Sequence, residues 1–507
     1  MPEFPRRGNP GFQPDVSQVS FASRGGMGYS RSGKMEPPDD NCGGGPAADG
    51  VRLGGRLAGR SLLGQVAVLA AWPLLEQVLA FFVGLTDLLI AGRMAGGPDR
   101  VAILDAMGLG GYVGWFFNIL QGAVATGVMA LVSRATGARD HRLANQGLGQ
   151  GLWLGVLAGF GSLILLQTGI PWLIRWIGLG AAAADQANLY LRVLAISGPF
   201  SGAMFAVNAA LRGSGDTRTP FLAMVVVNLV NMALSWALVF APAPWGGHGV
   251  AGIAAGTVGG WIAGLLTTVF LLGRGKEAGL HWAGAALRPH VETMRRIVRV
   301  GAPQAMEIAG MWLIHAFGIR VIANLSSEGA LGAHILAIRV ESMSFLPGFA
   351  IATAAATLAG QYLGAGSPRM AARAVRVCWA LAAGMMSLIG VLFVLARYQL
   401  IGWMAPASGI HLQLAAPLLV VCAMAQPFFG TCIVLKTAMR GAGATGTVMR
   451  WSFGSMLFYR VGMLWWFSHT DWFDLTGVWV VLSVDLFTQA LVFAWLHFRG
   501  TWLHARV

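Results

Sequence analysis

Residues 62–92 form an apolar run that contains two carboxylates, Glu76 and Asp87, and no other charge. An acid at membrane depth is costly and usually faces a partner, a cavity or a transported ion. On a helix their spacing amounts to about three turns, which puts both on one face roughly 16 Å apart along the axis. A second run, 220–241, carries Asn228, Asn231 and Ser235 on one helical face, and a third, 249–273, carries Thr257. Together these residues offer a carboxylate, amide carbonyls and hydroxyls, the hard oxygen ligands of a small cation or the surroundings of a proton site.

The second half of the chain has its own polar residues in apolar runs. Glu307 and His315 fall in 300–325, His334, Arg339 and Glu341 in 332–362, and Lys436 in 411–438. Arg339 and Glu341 are two apart, so they lie on different faces and each needs a partner on another helix. Glu76, Glu307 and Glu341 are candidates for a cavity or substrate role. Glu76 reads equally as a structural carboxylate, Asn228 as an interhelical hydrogen-bonding group, His334 as structural, and Lys436 as snorkelling past Arg440.

The elements that must position these residues follow from composition. Charged residues make up 11% and apolar ones 56% of the chain, whereas soluble domains carry about 25% charge. Such a sequence cannot cover a soluble surface. Twelve apolar runs are each long enough to cross a bilayer: 62–92, 105–133, 147–172, 187–211, 220–241, 249–273, 300–325, 332–362, 374–397, 411–438, 446–468 and 477–498. Arginines concentrate in alternate loops, among them Arg134, Arg139 and Arg142, the 274–299 stretch, and Arg369, Arg373 and Arg376. With an even number of spans, this bias places both termini in the cytoplasm.

The two halves repeat. Ala125, Thr126, Gly137, Ala138 and Ala144 recur at one constant offset as Ala352, Thr353, Gly364, Ala365 and Ala371. Nearly the same offset relates Pro199, Arg212, Gly213, Gly215 and Thr217 to Pro427, Arg440, Gly441, Gly443 and Thr445, and roughly pairs Pro73 with Pro303. Six spans per half give both halves one orientation, related by a pseudo-twofold along the membrane normal. The expected architecture is an all-α membrane protein with twelve transmembrane helices in two six-helix bundles. Residues 1–60 form a disordered cytoplasmic tail, 61–273 the first lobe, 274–299 a cytoplasmic connector, 300–499 the second lobe and 500–507 a cytoplasmic end. A monomer is expected.

Other classes are excluded. The net charge of +14 resides largely in the tail and alternate loops, and no basic stripe of a nucleic-acid-binding domain is present. Cys42, Cys378, Cys422 and Cys432 lack zinc or redox spacing. The stretch GRGKEAG lacks the first glycine and final Ser/Thr of a phosphate-binding loop, and no GxSxG or HExxH occurs. The chain is therefore expected not to be an enzyme and to need no cofactor. Its energy must come from an ion gradient or from the solute itself.

In this setting the sequence resembles the multidrug and toxic compound extrusion (MATE) family over roughly 61–498. The resemblance rests on PLLEQVLAFFVGLTDLLIAGRMAG, ALRGSGDTRTPFLAMVVVNLVN and GVAGIAAGT, then on GAPQAMEIAG, AHILAIRVESMSFLPGFAIATAAATLAGQYLGAGSP and AMRGAGAT. It implies two lobes forming a V around a cavity that faces alternate sides. It also implies export of bulky, often cationic organic compounds against inward H⁺ or Na⁺, in the plasma (inner) membrane. The family's cation site falls on Asp87, Asn231 and Thr257, with Ser235 where members have Asp or Asn. That departure removes a strong Na⁺ ligand. Members with an acid in span ten differ from QPFFGTCIVLK here, and the span-seven acid of some members falls on Met311.

The resemblance implies antiport in which Asp87, out of water, exchanges a proton near neutral pH, with Trp115, Phe116 and Trp312 available to line an apolar cavity. Two rival readings make different demands on the sequence. A flippase for lipid-linked precursors needs a strongly cationic cavity, against which the intramembrane acids argue. An intramembrane enzyme or receptor-like scaffold needs a clustered catalytic set, which is absent.

Overall fold

The computed structural model describes residues 53–94, 98–274, 279–281, 284–325, 329–404, 409–470, 472–505 and 507. Helices account for nearly all of it. The first lobe holds α1 (Leu62–Met94), α2 (Pro98–Gly137), α3 (His141–Ile177), α4 (Ala181–Ala195), α5 (Gly198–Ser214), α6 (Arg218–Phe240) and α7 (Gly249–Arg274). The second holds α8 (Val291–Ala323), α9 (Ala330–Gly364), α10 (Pro368–Met404), α11 (Gly409–Gly441), α12 (Thr445–Met456), α13 (Leu464–Phe467) and α14 (Leu475–Arg499).

The chain is an all-α, multi-pass membrane protein with two six-segment bundles. Among the described residues nine helices are long and apolar enough to cross a bilayer alone. The pair α4 and α5, bent by 48°, makes a tenth; α2 and the α12–α13 run complete the twelve segments. The bend sits at Ser197–Gly198–Pro199, where proline removes a backbone donor and restricts the residue before it. Between α12 and α13 the chain stays helical through a π-helical stretch, Leu457–Met463. Large apolar side chains such as Leu313, Trp172, Trp403 and Leu395 are exposed on the outside, which suits hydrocarbon and not water.

Residues 1–52 of the tail expected to be disordered lie outside the described residues, as do 275–278 and 282–283 of the expected connector. The last residues of that tail are not loose. Gly55–Leu57 form a 3-10 turn, and Leu53 and Leu57 are buried. The reading of 1–60 as disordered, from its lack of an apolar run, missed these two leucines because no apolar periodicity surrounds them.

Helix ends reuse the repeat. Gly215 closes α5 with φ 96°, and Gly443 follows α11 with φ 92°. Each turn needs the left-handed backbone that a side chain resists. Between α2 and α3 the left-handed residue is Arg139 (φ 59°), while between α9 and α10 it is Gly366 (φ 75°). Gly443→Ala is expected to destabilise the fold by at least about 1 kcal/mol through left-handed strain. Gly446→Ala, in α12 with open space around the new methyl, is expected to be neutral or to stabilise by up to ~1 kcal/mol. Thermal unfolding of the two purified variants against the parent checks the contrast.

Candidate functional site: a lone carboxylate in the first lobe

The site is assembled where α1, α6 and α7 meet. Glycines along α7 let α6 lie against it: a Cβ on Gly256 would strike Ser235, and one on Gly260 would crowd Val227 and Asn231. Small residues of this kind set close helix contacts in membranes. That contact fixes Asn231 and Ser235 of α6 beside Thr257 of α7, and α1 brings Asp87 to both.

The hydrogen bonds form one closed set. Thr257 Oγ1–H reaches Asp87 Oδ2 at 2.8 Å and the Ile253 carbonyl at 3.2 Å, two alternatives for one proton. Asn231 Nδ2–H₂ faces Asp87 Oδ1 at 3.1 Å, Thr257 Oγ1 at 3.0 Å and Ser235 Oγ at 3.4 Å. Ser235 Oγ–H donates to the Ile253 carbonyl at 3.2 Å. All four side chains are buried. Asn231 Oδ1 is also buried and has no hydrogen-bond partner, which leaves an acceptor oxygen open beside a carboxylate. No ion pair to Asp87 is present among the described residues. The arrangement suits a group that takes up a proton or a small cation.

The other expected residues do not join this cluster. Glu76 forms an ion pair with Arg212 in the last turn of α5. Glu307 is held between Lys436 Nζ at 3.2 Å and Arg440 Nη2 at 2.8 Å. Arg212 and Arg440 are repeat partners, and each acid sits one turn after a repeated proline, Pro73 or Pro303. The two lobes therefore carry the same pair: an acid of the first helix joined to an arginine that ends the fourth segment. Both acids are committed to fixed cations. Lys436 does not snorkel inward past Arg440 to the membrane surface; it pairs within the bundle with Glu307 and with Gln489 Oε1 at 3.2 Å. Glu341 of α9 lies beside Cys422 of α11, and no ion pair to it is found among the described residues. His334 has the structural place expected of it, accepting from Trp479 Nε1–H at 3.1 Å. Phe116 meets Trp312 across the lobes at 5.5 Å between ring centroids, with Tyr112 at 6.3 Å. The Trp115 side chain lies outside the described residues.

Sequence reasoning missed three participants. Asp485 of α14 is fully buried, bonded to Arg460 of the π-helical stretch, to Ser455 and to Gln489. The signal was present, since each is a charge inside an apolar run. Tyr190 of α4 packs with Ile90, Ala91, Ile253 and Ala254, the neighbours of Asp87 and Thr257; nothing in its local sequence marks it.

Fold, repeat and charge placement define a multi-pass membrane protein built by duplication. The sequence matches the MatE family twice, over residues 74–237 and 303–466, and the chain belongs to that transporter family, so it is not an enzyme. It is 25% identical over 435 residues to a probable multidrug resistance protein NorM of Thermotoga maritima, covering 84% of this chain and 90% of that protein. It is 24% identical over 465 residues to the multidrug resistance protein PmpM of Pseudomonas aeruginosa, covering 88% and 92%. The fold superposes with a TM-score of 0.80 on an outward-facing multidrug resistance MATE family transporter of the MOP superfamily, at 21% identity and covering 88% and 98%.

The geometry separates two kinds of buried acid. Glu307→Gln strands Lys436 and Arg440, and breaking a buried pair costs about 3–5 kcal/mol. Asp87→Asn strands no cation. Thermal unfolding in detergent is expected to show a large loss for the first variant and little or none for the second.

Proposed function

We propose that this chain is an antiporter that exports bulky, often cationic organic compounds in exchange for H⁺ or Na⁺ taken up at Asp87. One observation carries the reading. Among the described residues Glu76, Glu307 and Asp485 each have a basic partner, whereas Asp87 is met only by Asn231 and Thr257; Glu341 also lacks an ion pair but lies beside Cys422 without such a cluster. A permanent charge without a counter-charge is hard to sustain in hydrocarbon, so the Asp87 charge is one that a mobile cation meets.

Asp87, Asn231, Ser235 and Thr257 form the proposed cation or proton site. Of the two ions the proton is favoured, because Ser235 supplies a hydroxyl where a second carboxylate or amide would hold Na⁺ more strongly. Neutralising Asp87 weakens its acceptor role toward Thr257 and Asn231 and so changes how α1 sits on α6 and α7. A ligand shifts a conformational balance only by binding its states unequally; the cation and the organic compound do so in opposite senses. Phe116 and Trp312 supply an apolar, adaptable surface between the lobes.

The lobes 61–273 and 300–499 are proposed to move in the plasma (inner) membrane as parts of a monomer. The tail, the 274–299 connector and 500–507 are assigned to the cytoplasm by the arginine bias. A lipid-linked precursor flippase fits less well, because Lys436, Arg440 and Arg460 are already engaged by Glu307 and Asp485.

Two outcomes are expected. Asp87→Asn inserts and binds the compound but loses gradient-driven efflux by at least about tenfold, a 1.4 kcal/mol effect. Dye efflux from proteoliposomes under imposed pH or Na⁺ gradients reads this directly. Export equal to the parent under every gradient would make Asp87 structural. Reporter fusions in the tail, in 274–299 and after residue 507 should all report the cytoplasm; any one outside overturns the topology.

A further inference from the structure

Besides the Phe116–Trp312 contact, the lobes touch at the arginine-rich end of the molecule, and there the contact is close to self-complementary. A Cβ on Gly137, at the end of α2, would fall on the Gln361 carbonyl; one on Gly364, at the end of α9, would fall on the Arg134 carbonyl. Gly137 and Gly364 are repeat partners, and the repeat's offset also relates Arg134 to Gln361. The pseudo-twofold therefore passes through this crossing, and an added side chain on either glycine would push the lobes apart.

Around the crossing each lobe reaches into the other. Val66 and Leu69 at the start of α1 lie in the core of the second lobe with Leu358 and Val375. Ile297 near the start of α8 lies in the core of the first with Val128 and Leu148. From α9, Thr357 Oγ1–H donates to the Arg212 carbonyl at 3.1 Å and Gln361 Nε2–H₂ to the Gly213 carbonyl at 2.9 Å. These carbonyls belong to the last turn of α5, and the Arg212 carbonyl also accepts from the Gly215 N–H that caps the helix at 3.0 Å.

Two segments outside the twelve helices then cross the seam in opposite directions. Residues 53–57 put Leu53 and Leu57 into the second lobe's core, while Arg56 Nη1 pairs with Asp216 Oδ1 of the first lobe at 3.0 Å. Residues 501–507 bury Trp502 in the second lobe. Their Ala505 carbonyl accepts from Arg134 Nη1 of the first lobe at 2.6 Å, and Val507 packs on the first lobe's core. Each segment is thus anchored in one lobe by apolar burial and tied to the other by an arginine.

We propose that segments 53–60 and 501–507 are straps that hold the arginine-rich end shut. Parting the lobes there requires Arg56 to leave Asp216 and Arg134 to leave Ala505. The straps set the balance between the two access states without touching the cation site. The proposal rests on the alternating-access reading above.

The test measures the gap directly. Arg142 and Arg369 are exposed, stand near the starts of α3 and α10 on opposite lobes, and are related by the repeat. Both are changed to cysteine in a Cys42→Ser background, where the three remaining cysteines are buried. Spin labels there report the separation by double electron–electron resonance in nanodiscs, across pH and with or without Na⁺. Removal of 501–507, or Arg56→Gln, is expected to raise the ratio of long to short distances about tenfold, the scale of one charge-assisted hydrogen bond. Arg56→Lys should return the ratio most of the way. Thermal unfolding of the same variants separates a strap from a merely structural segment, which would lower the melting temperature without creating a longer distance.

Ratios within twofold of the parent for both the truncation and Arg56→Gln overturn the proposal, as does a single short distance in every protein under every condition. Because the readout is a distance and not export, it is independent of the coupling site. Normal export by Asp87→Asn would sink the coupling reading and leave the straps to stand or fall on their own data.

Discussion

A charge placed in hydrocarbon has no water to turn to, so its counter-charge must come from another helix, and the helices must then stay where the pair needs them. The Glu76–Arg212 and Glu307–Arg440 pairs impose this on both lobes at the same place. Each ties the first helix of a lobe to the last turn of its fourth segment. The arginine also stands at a helix C-terminus, a favourable position for a cation. In the first lobe the carbonyls of that turn accept Thr357 and Gln361 from the other lobe. One buried pair thereby orders a helix junction and the surface on which the second lobe rests.

The duplication has diverged around this shared pair. In the second lobe the charges form a connected line from Arg440 through Glu307, Lys436, Gln489 and Asp485 to Arg460. Among the described residues of the first lobe nothing comparable extends beyond Arg212, and Asp87 is met by an amide and a hydroxyl. The π-helical stretch that carries Arg460 accompanies this difference, as such stretches often do at specialised positions.

Much of this was legible in the sequence, and for physical reasons. Helix number and class follow from long apolar runs, and the two lobes from a constant offset that survived duplication. Asp87, Asn231, Ser235 and Thr257 stood out because polar groups are conspicuous against hydrocarbon and share helical faces. Pairing was not legible. Glu76, Glu307 and Lys436 are visible as charges, but which helix supplies the partner depends on packing, so Lys436 was read as reaching for the membrane surface when it pairs within the bundle. The bend between α4 and α5 was hidden because Pro199 breaks a helix while its repeat partner Pro427 lies within the continuous α11. Leu53 and Leu57 were hidden because they are buried by a lobe more than 200 residues away in sequence.

The fixed pairing of the second lobe has an electrical consequence. Lys436, Arg440 and Arg460 travel with the protein, as do Glu307 and Asp485, so their charges return with every cycle and drop out of the net displacement. Under the proposed coupling only the ion at Asp87 and the exported compound move charge for good. Exchange of one monovalent cation for a monovalent organic cation is then electroneutral and blind to membrane voltage. Exchange for an uncharged compound carries one charge inward and draws about 2.3 kcal/mol from each 100 mV. A single architecture would thus export cationic and neutral compounds against different limits, set by the ion gradient alone for the first and by gradient plus voltage for the second.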